Sequence, residues 1–137
     1  MSESPTSIPI DTVAWRLARA IEASTPETHA DSLRTAQRLL LDVSGICLAA
    51  RRENYVLAAL QAVEQSGPCI AIGHTQTLGA EAAAFVNGIA AHGEDFDDTY
   101  EGGPVHAGAV VVPALLAAAQ RHGLSGGDLL RGVATGI

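Results

Sequence analysis

Apolar positions recur at helical spacing along most of the chain, in segments divided by Pro, Gly and Ser clusters. Val13, Leu17 and Ile21 mark one face of a first helix that Asp11 can cap and that runs to about Ala23, with Trp15 expected in the core. Thr25-Pro26-Glu27 is a restart signal: an N-cap, a proline suited to the first helical position, and an acid at the positive helix end. The helix that follows is predicted to reach about Ala50, with the stripe Leu33, Ala36, Leu40, Val43 and Cys47, and Leu39 and Ile46 beside it. Asn54 can cap a third helix, Tyr55 to Gln65, which Ser66-Gly67-Pro68 ends. Cys69 to Ile72 is a short apolar run that reads as one strand or an extended buried segment. Gly79 to His92 reads as a helix with Phe85, Val86 and Ile89 facing inward. Ala107 to Arg121 reads as another, in which Pro113 makes a kink or marks the true start. Ser125 and Asp128 form a capping-box pattern for a last helix, which reaches Ile137 with no C-cap, as if cut within an element. These elements predict an all-α fold, a bundle of about six helices with at most one short strand. Residues 1–10 are expected to be a flexible lead-in and 11–137 a single helical domain.

Composition narrows the function classes. Of 137 residues, 47% are hydrophobic and only 4% aromatic, so Ala, Val, Leu and Ile must build the core. The net charge is −7 and all eight basic residues are dispersed Arg, with no Lys. That pattern argues against nucleic-acid partners and anionic membrane surfaces. No apolar run approaches the roughly 20 residues that span a bilayer. Cys47 and Cys69 are too few for a disulfide framework and suit a reducing compartment. The acidic N-terminus lacks the basic region of a signal peptide, so a cytoplasmic location is expected.

The candidate chemistry lies between Glu94 and His106. Glu94, Asp95, Asp97, Asp98 and Glu101 place five carboxylates within eight positions, with His92 before them and His106 after. Like charges crowded together repel, a cost usually met at a metal site, a proton-transfer site or a solvated loop. If the stretch turns helically, Asp95 and Thr99 share a face while Asp97 points elsewhere. Gly102-Gly103-Pro104 then forms a sharp turn that sets His106 just before the next helix. An acid, a hydroxyl and an imidazole around one turn suit proton abstraction beside a carbonyl or carboxylate.

The run from Asn87-Gly88 through His92, the Asp95-Phe96-Asp97-Asp98-Thr99 block, and His106 with Gly108-Ala109-Val110 resembles the MmgE/PrpD family. Pro113-Ala114-Leu115-Leu116 and the upstream Leu41-Asp42-Val43-Ser44-Gly45 fit as well. The family includes 2-methylcitrate dehydratases, cis-aconitate decarboxylases and iminodisuccinate epimerases. The resemblance implies an all-helical domain and homodimers. It also implies a small di- or tricarboxylate as substrate and no organic cofactor or metal. By the resemblance His106 is the proton-transfer residue, and Asp95 and Thr99 orient the substrate or the imidazole. His92, Asn87 and Tyr100 are candidate substrate contacts; capping, buried hydrogen bonding and surface packing compete as their roles. Ala107 stands where many members have Pro.

Members of the family are much longer, and their later portions bring lysines and a lid. Polycarboxylates need cations to hold them, and an acidic stretch repels them. The expectation is therefore a lyase portion that is inactive alone. A helical interaction or dimerisation module is the alternative. The Asp95-Phe96-Asp97-Asp98 and Asp97-to-Glu101 runs also resemble a terpene-cyclase acid motif and a Mg²⁺-diphosphate motif, but the second metal motif and the cationic ligands of such sites are missing.

Overall fold

The structure, a computed structural model, describes residues 12–23 and 30–137. The expectations placed on residues 1–10, Asp11 and Thr25-Pro26-Glu27 lie outside the described residues. Six helices follow in order: α1 (Val13–Ala23), α2 (Ala30–Ala50), α3 (Asn54–Ala62), α4 (Ala80–His92), α5 (Ala107–His122) and α6 (Gly126–Gly136). The all-α expectation holds. Two strands, β1 (Cys69–Ile70) and β2 (Thr77–Leu78), pair antiparallel with Cys69 opposite Leu78 and Ile70 opposite Thr77. The Cys69 run is thus one half of a minimal hairpin, and Thr77–Leu78 is a strand that its two-residue length hid from periodicity.

The core forms where α2, α4, α5 and α6 meet, with α3 closing on α4. Its members are small, as the composition demands. They include Ala36, Leu39, Val43 and Cys47 of α2, Val56 and Leu60 of α3, Ala83, Val86 and Ala90 of α4, Val112 of α5 and Val133 of α6. Burying each Val or Leu contributes about 1.5–3 kcal/mol. Of the predicted α2 stripe, Ala36, Val43 and Cys47 are fully buried; Leu39 beside it is buried too, while Leu40 sits at the margin. Thr12, whose hydroxyl accepts from the Trp15 N–H at 3.2 Å, caps α1. Glu53 precedes α3, so Asn54 is helical rather than a cap. Ser125 and Asp128 form the predicted capping box at α6.

Two apolar expectations are corrected. Trp15 is 47% exposed and Phe85 53% exposed; neither enters the core. The face of α1 carrying Val13, Leu17 and Ile21 is likewise uncovered. None of the described helices is long and apolar enough to cross a membrane.

Helices α4 and α5 pack along one another and position the candidate chemistry. Helix α5 continues through the buried Pro113, which has no N–H for the Ala109 carbonyl. Gly88 of α4 lies beside that carbonyl; a Cβ there would sit 3.4 Å from its oxygen, in van der Waals contact. Asn87 is buried beside it. Its Nδ2 donates to the Ile70 carbonyl at 3.0 Å and its Oδ1 accepts from the Ile72 N–H at 2.8 Å, which fastens α4 to the β1 segment. Both cysteines are buried free thiols that donate to backbone carbonyls, Cys47 to Asn87 and Cys69 to Ala117.

Candidate functional site

Helix α4 ends at His92, and the chain leaves it sharply. The Gly93 N–H donates to the Ile89 carbonyl and the Asp95 N–H to the His92 carbonyl, both at 3.0 Å. Asp95 adopts φ +57°, a left-handed conformation that aspartate tolerates better than most side chains. Residues 94–100 are therefore a loop, and the shared helical face expected for Asp95 and Thr99 does not form. The Tyr100 N–H donates to the Val105 carbonyl at 3.0 Å and the Gly103 N–H to the Tyr100 carbonyl at 3.1 Å. These bonds close the Gly102-Gly103-Pro104 bend and return the chain to α5. His106 is the residue before that helix, as expected, and its side chain makes no cap bond. Asp98 supplies the cap instead: its Oδ1 accepts from the Gly108 N–H at 2.9 Å. A carboxylate there also suits the positive end of the helix.

The bend brings two imidazoles and two carboxylates together. The rings of His92 and His106 lie 4.9 Å apart between centroids, tilted by 57°. Asp97 sits between them with no exposed side-chain surface. Both its oxygens are 3.1 Å from Nδ1 of His92, and Oδ2 is 3.6 Å from Nδ1 of His106. Asp95, on the solvent side, places Oδ1 3.7 Å from Nε2 of His106. The two contacts to His106 are longer than hydrogen bonds, and its buried Nδ1 has no hydrogen-bond partner. Tyr55 of α3 reaches over from the other side, its hydroxyl donating to Glu94 at 3.0 Å. Partial burial, together with the Glu94 and Glu53 carboxylates, pushes that hydroxyl up to about 12.

Of the residues singled out from sequence, His106, Asp95 and His92 converge. Thr99 and Tyr100 are exposed on the loop and make no side-chain hydrogen bond to this group. Asn87 spends its amide on the β1 backbone. Asp97, expected to point elsewhere, is the centre of the arrangement. Its nearest signal in the sequence was its place in a run of acids between two histidines, and the left-handed turn at Asp95 is what aims it inward. One ligand atom from each of His92, Asp95, Asp97 and His106 lies within 4.8 Å of the others. Although the sequence implies no metal, this set of imidazole nitrogens and carboxylate oxygens is one that could hold a divalent ion.

His92 and His106 border a cleft of about 690 Å³ between α4 and α5. Its other walls are Tyr55, Phe85, Ile89, Val110 and small residues. The outward Phe85 therefore lines this opening. Chemically, the site offers bases for proton transfer at the mouth of an apolar cleft, with no arginine among the described residues of its walls.

The MmgE/PrpD N-terminal domain family matches residues 16–137. A cis-aconitate decarboxylase-like protein of Aspergillus oryzae, oryM, is 33% identical over 102 residues, which cover 72% of this chain and 21% of that protein. A cis-aconitate decarboxylase of Aspergillus terreus is 32% identical over 105 residues, 74% of this chain and 21% of the relative. The chain thus spans about one fifth of the length of these curated relatives. With the match running from α1 to the end of α6, this chain belongs to the MmgE/PrpD family, in the part that forms the N-terminal helical domain.

Proposed function

We propose that this chain supplies the proton-transfer half of a lyase site for a small polycarboxylate. The supporting observation is the convergence of His106, Asp95 and Asp97 with His92 at the cleft mouth. His106 takes or returns the proton on the carbon next to a carboxylate, and Asp95 orients the ring or the substrate. Thr99, His92, Asn87 and Tyr100 are the further contacts proposed for the site; Thr99 and Tyr100 need the 94–105 loop to move inward before they can touch a bound molecule. The names of the relatives favour cis-aconitate decarboxylation. Dehydration of a 2-methylcitrate-like substrate uses the same proton chemistry. A cytoplasmic setting and a homodimer complete the reading, the uncovered apolar face of α1 being available to a second copy or to further chain.

One observation favours a second reading. Among the described residues no arginine lines the cleft, and a polycarboxylate is held by positive charge. In that reading the chain is a helical module that folds and pairs but does not catalyse. The two part in a product assay across cis-aconitate, 2-methylcitrate, citrate and iminodisuccinate. The chain is assayed alone and co-expressed with the lysine-bearing remainder of a relative. The lyase reading expects no turnover alone and turnover of one substrate once complemented. Absence of turnover with every partner supports the module.

A further inference from the structure

We infer that Asp97 is the positioning residue of this site, a single buried carboxylate that holds both His92 and His106 as Nδ1–H tautomers and so leaves Nε2 of each ring bare. A carboxylate accepts hydrogen bonds and cannot donate them. Buried, it needs donors, because an unpaired buried charge is costly. The groups facing its oxygens are the Nδ1 atoms of the two imidazoles, at 3.1 Å and 3.6 Å. A lone pair on either nitrogen would repel it, so both carry the proton.

Asp95 competes for His106 from the other end of the ring, at 3.7 Å from Nε2. The distances are nearly equal, so the surroundings decide. The Asp95 side chain is 78% exposed and that of Asp97 is not exposed at all. At equal separation a pair in an effective dielectric of about 20 interacts roughly fourfold more strongly than one in water. Asp97 therefore fixes the tautomer, and Asp95 is left to face whatever arrives at Nε2. The His106 ring thus lies between two carboxylates, Asp97 toward Nδ1 and Asp95 toward Nε2. Nδ1 of His106 needs to move only a few tenths of an ångström to complete its bond to Asp97, the tightening expected when a loose resting site binds its substrate. The catalytic use of Nε2 rests on the function proposed above; the tautomers do not.

The test needs no substrate. Long-range ¹H–¹⁵N spectra of the histidine-labelled chain, recorded with a chelator at about pH 8.5 where imidazoles are ordinarily neutral, read the tautomer of each ring. His→Gln variants provide the assignments. Wild type is expected to show a protonated Nδ1 and a bare Nε2 at both His92 and His106. In Asp97→Asn the side chain has one accepting oxygen and one donating nitrogen. His92, the closer ring, keeps its tautomer and His106 switches to Nε2–H. Asp95→Asn leaves both rings unchanged. A wild-type His106 with its proton on Nε2, or an even mixture, overturns the inference, as does an Asp97→Asn spectrum identical to wild type. If Asp97→Asn loses its helical circular dichroism, the wild-type spectrum decides alone.

Discussion

Asp98→Ala tests how the start of α5, and with it His106, is held. Gly108 is the second residue of α5, and its N–H is one of four at a helix start with no partner inside the helix. His106 does not cap it, and the Asp98 carboxylate does, at 2.9 Å. A hydrogen bond to a charged group contributes about 1.5–3 kcal/mol. A carboxylate at a helix N-terminus adds about 0.3–1 kcal/mol. Asp98 is only half-buried, so water replaces part of what is lost. The expected net destabilisation is about 2 kcal/mol, placed at the lower end of those ranges. Asp98→Asn keeps an accepting oxygen but not the charge and is expected to cost about half as much. Gly108→Ala attacks the same contact from the other side. Its Cβ would fall 2.3 Å from Asp98 Oδ1 and 2.7 Å from Leu39 Cδ1, so the bond breaks and Leu39 is crowded as well. Overpacking alone costs about 1–3 kcal/mol. The double variant should lose less than the sum, since removing the carboxylate relieves half of the clash. Urea unfolding followed by circular dichroism measures these as midpoint shifts at constant slope. Asp98→Ala within about 0.5 kcal/mol of wild type, the range of ordinary surface substitutions, would refute the reasoning. So would Asp98→Asn being as damaging as Asp98→Ala.

Three further outcomes are expected. Asn87→Leu leaves the Ile70 carbonyl and the Ile72 N–H without partners and should cost about 2–4 kcal/mol, with faster hydrogen exchange at Ile72; a loss below about 1 kcal/mol would show that water replaces both bonds. Burial pushes the Cys47 thiol from 9.0 up to about 11. Because the folded value is the higher one, the stability it contributes is complete below pH 9 and is lost as pH rises through about 11. A urea series should show that alkaline fall flattened in Cys47→Ala, and an aromatic disulfide reagent should label the native thiol only on unfolding. The Ser125 hydroxyl and N–H, with Arg131, hold the Asp128 carboxyl below its usual range. Its folded value is depressed, so the α6 cap is intact above the unfolded carboxylate value and fails as pH falls through the folded one. Ser125→Ala should raise the acid midpoint read from the Asp128 side-chain resonance and cost about 1 kcal/mol; an unmoved midpoint would remove Ser125 as the cause.

Local signals were legible wherever local physics decides. The end of α2 at Ala50, the α6 capping box and the place of His106 before α5 follow from spacing, caps and breakers. The rest depends on what a segment meets in space. Phe85 obeys the inward spacing of α4 yet lines the open cleft between α4 and α5 rather than the core. Trp15, expected in the core, stays exposed on α1, none of whose residues is buried. The spacing of the acidic stretch permits a helical turn. The positive φ of Asp95 and the Tyr100–Val105 closure make it a loop. That change turns Asp97 from a bystander into the buried centre of the site. No single-residue propensity announces such a reversal; it depends on His92 at the end of α4 and His106 before α5 meeting around Asp97.

In the proposed function His106 moves the proton. The direct measurement is the rate of product formation by the complemented protein with His106→Ala, on the substrate that wild type converts. A positioned acid or base contributes about 10²–10⁴-fold. A loss of at least that lower figure is expected, with substrate affinity largely kept. A rate within a few-fold of wild type would contradict it.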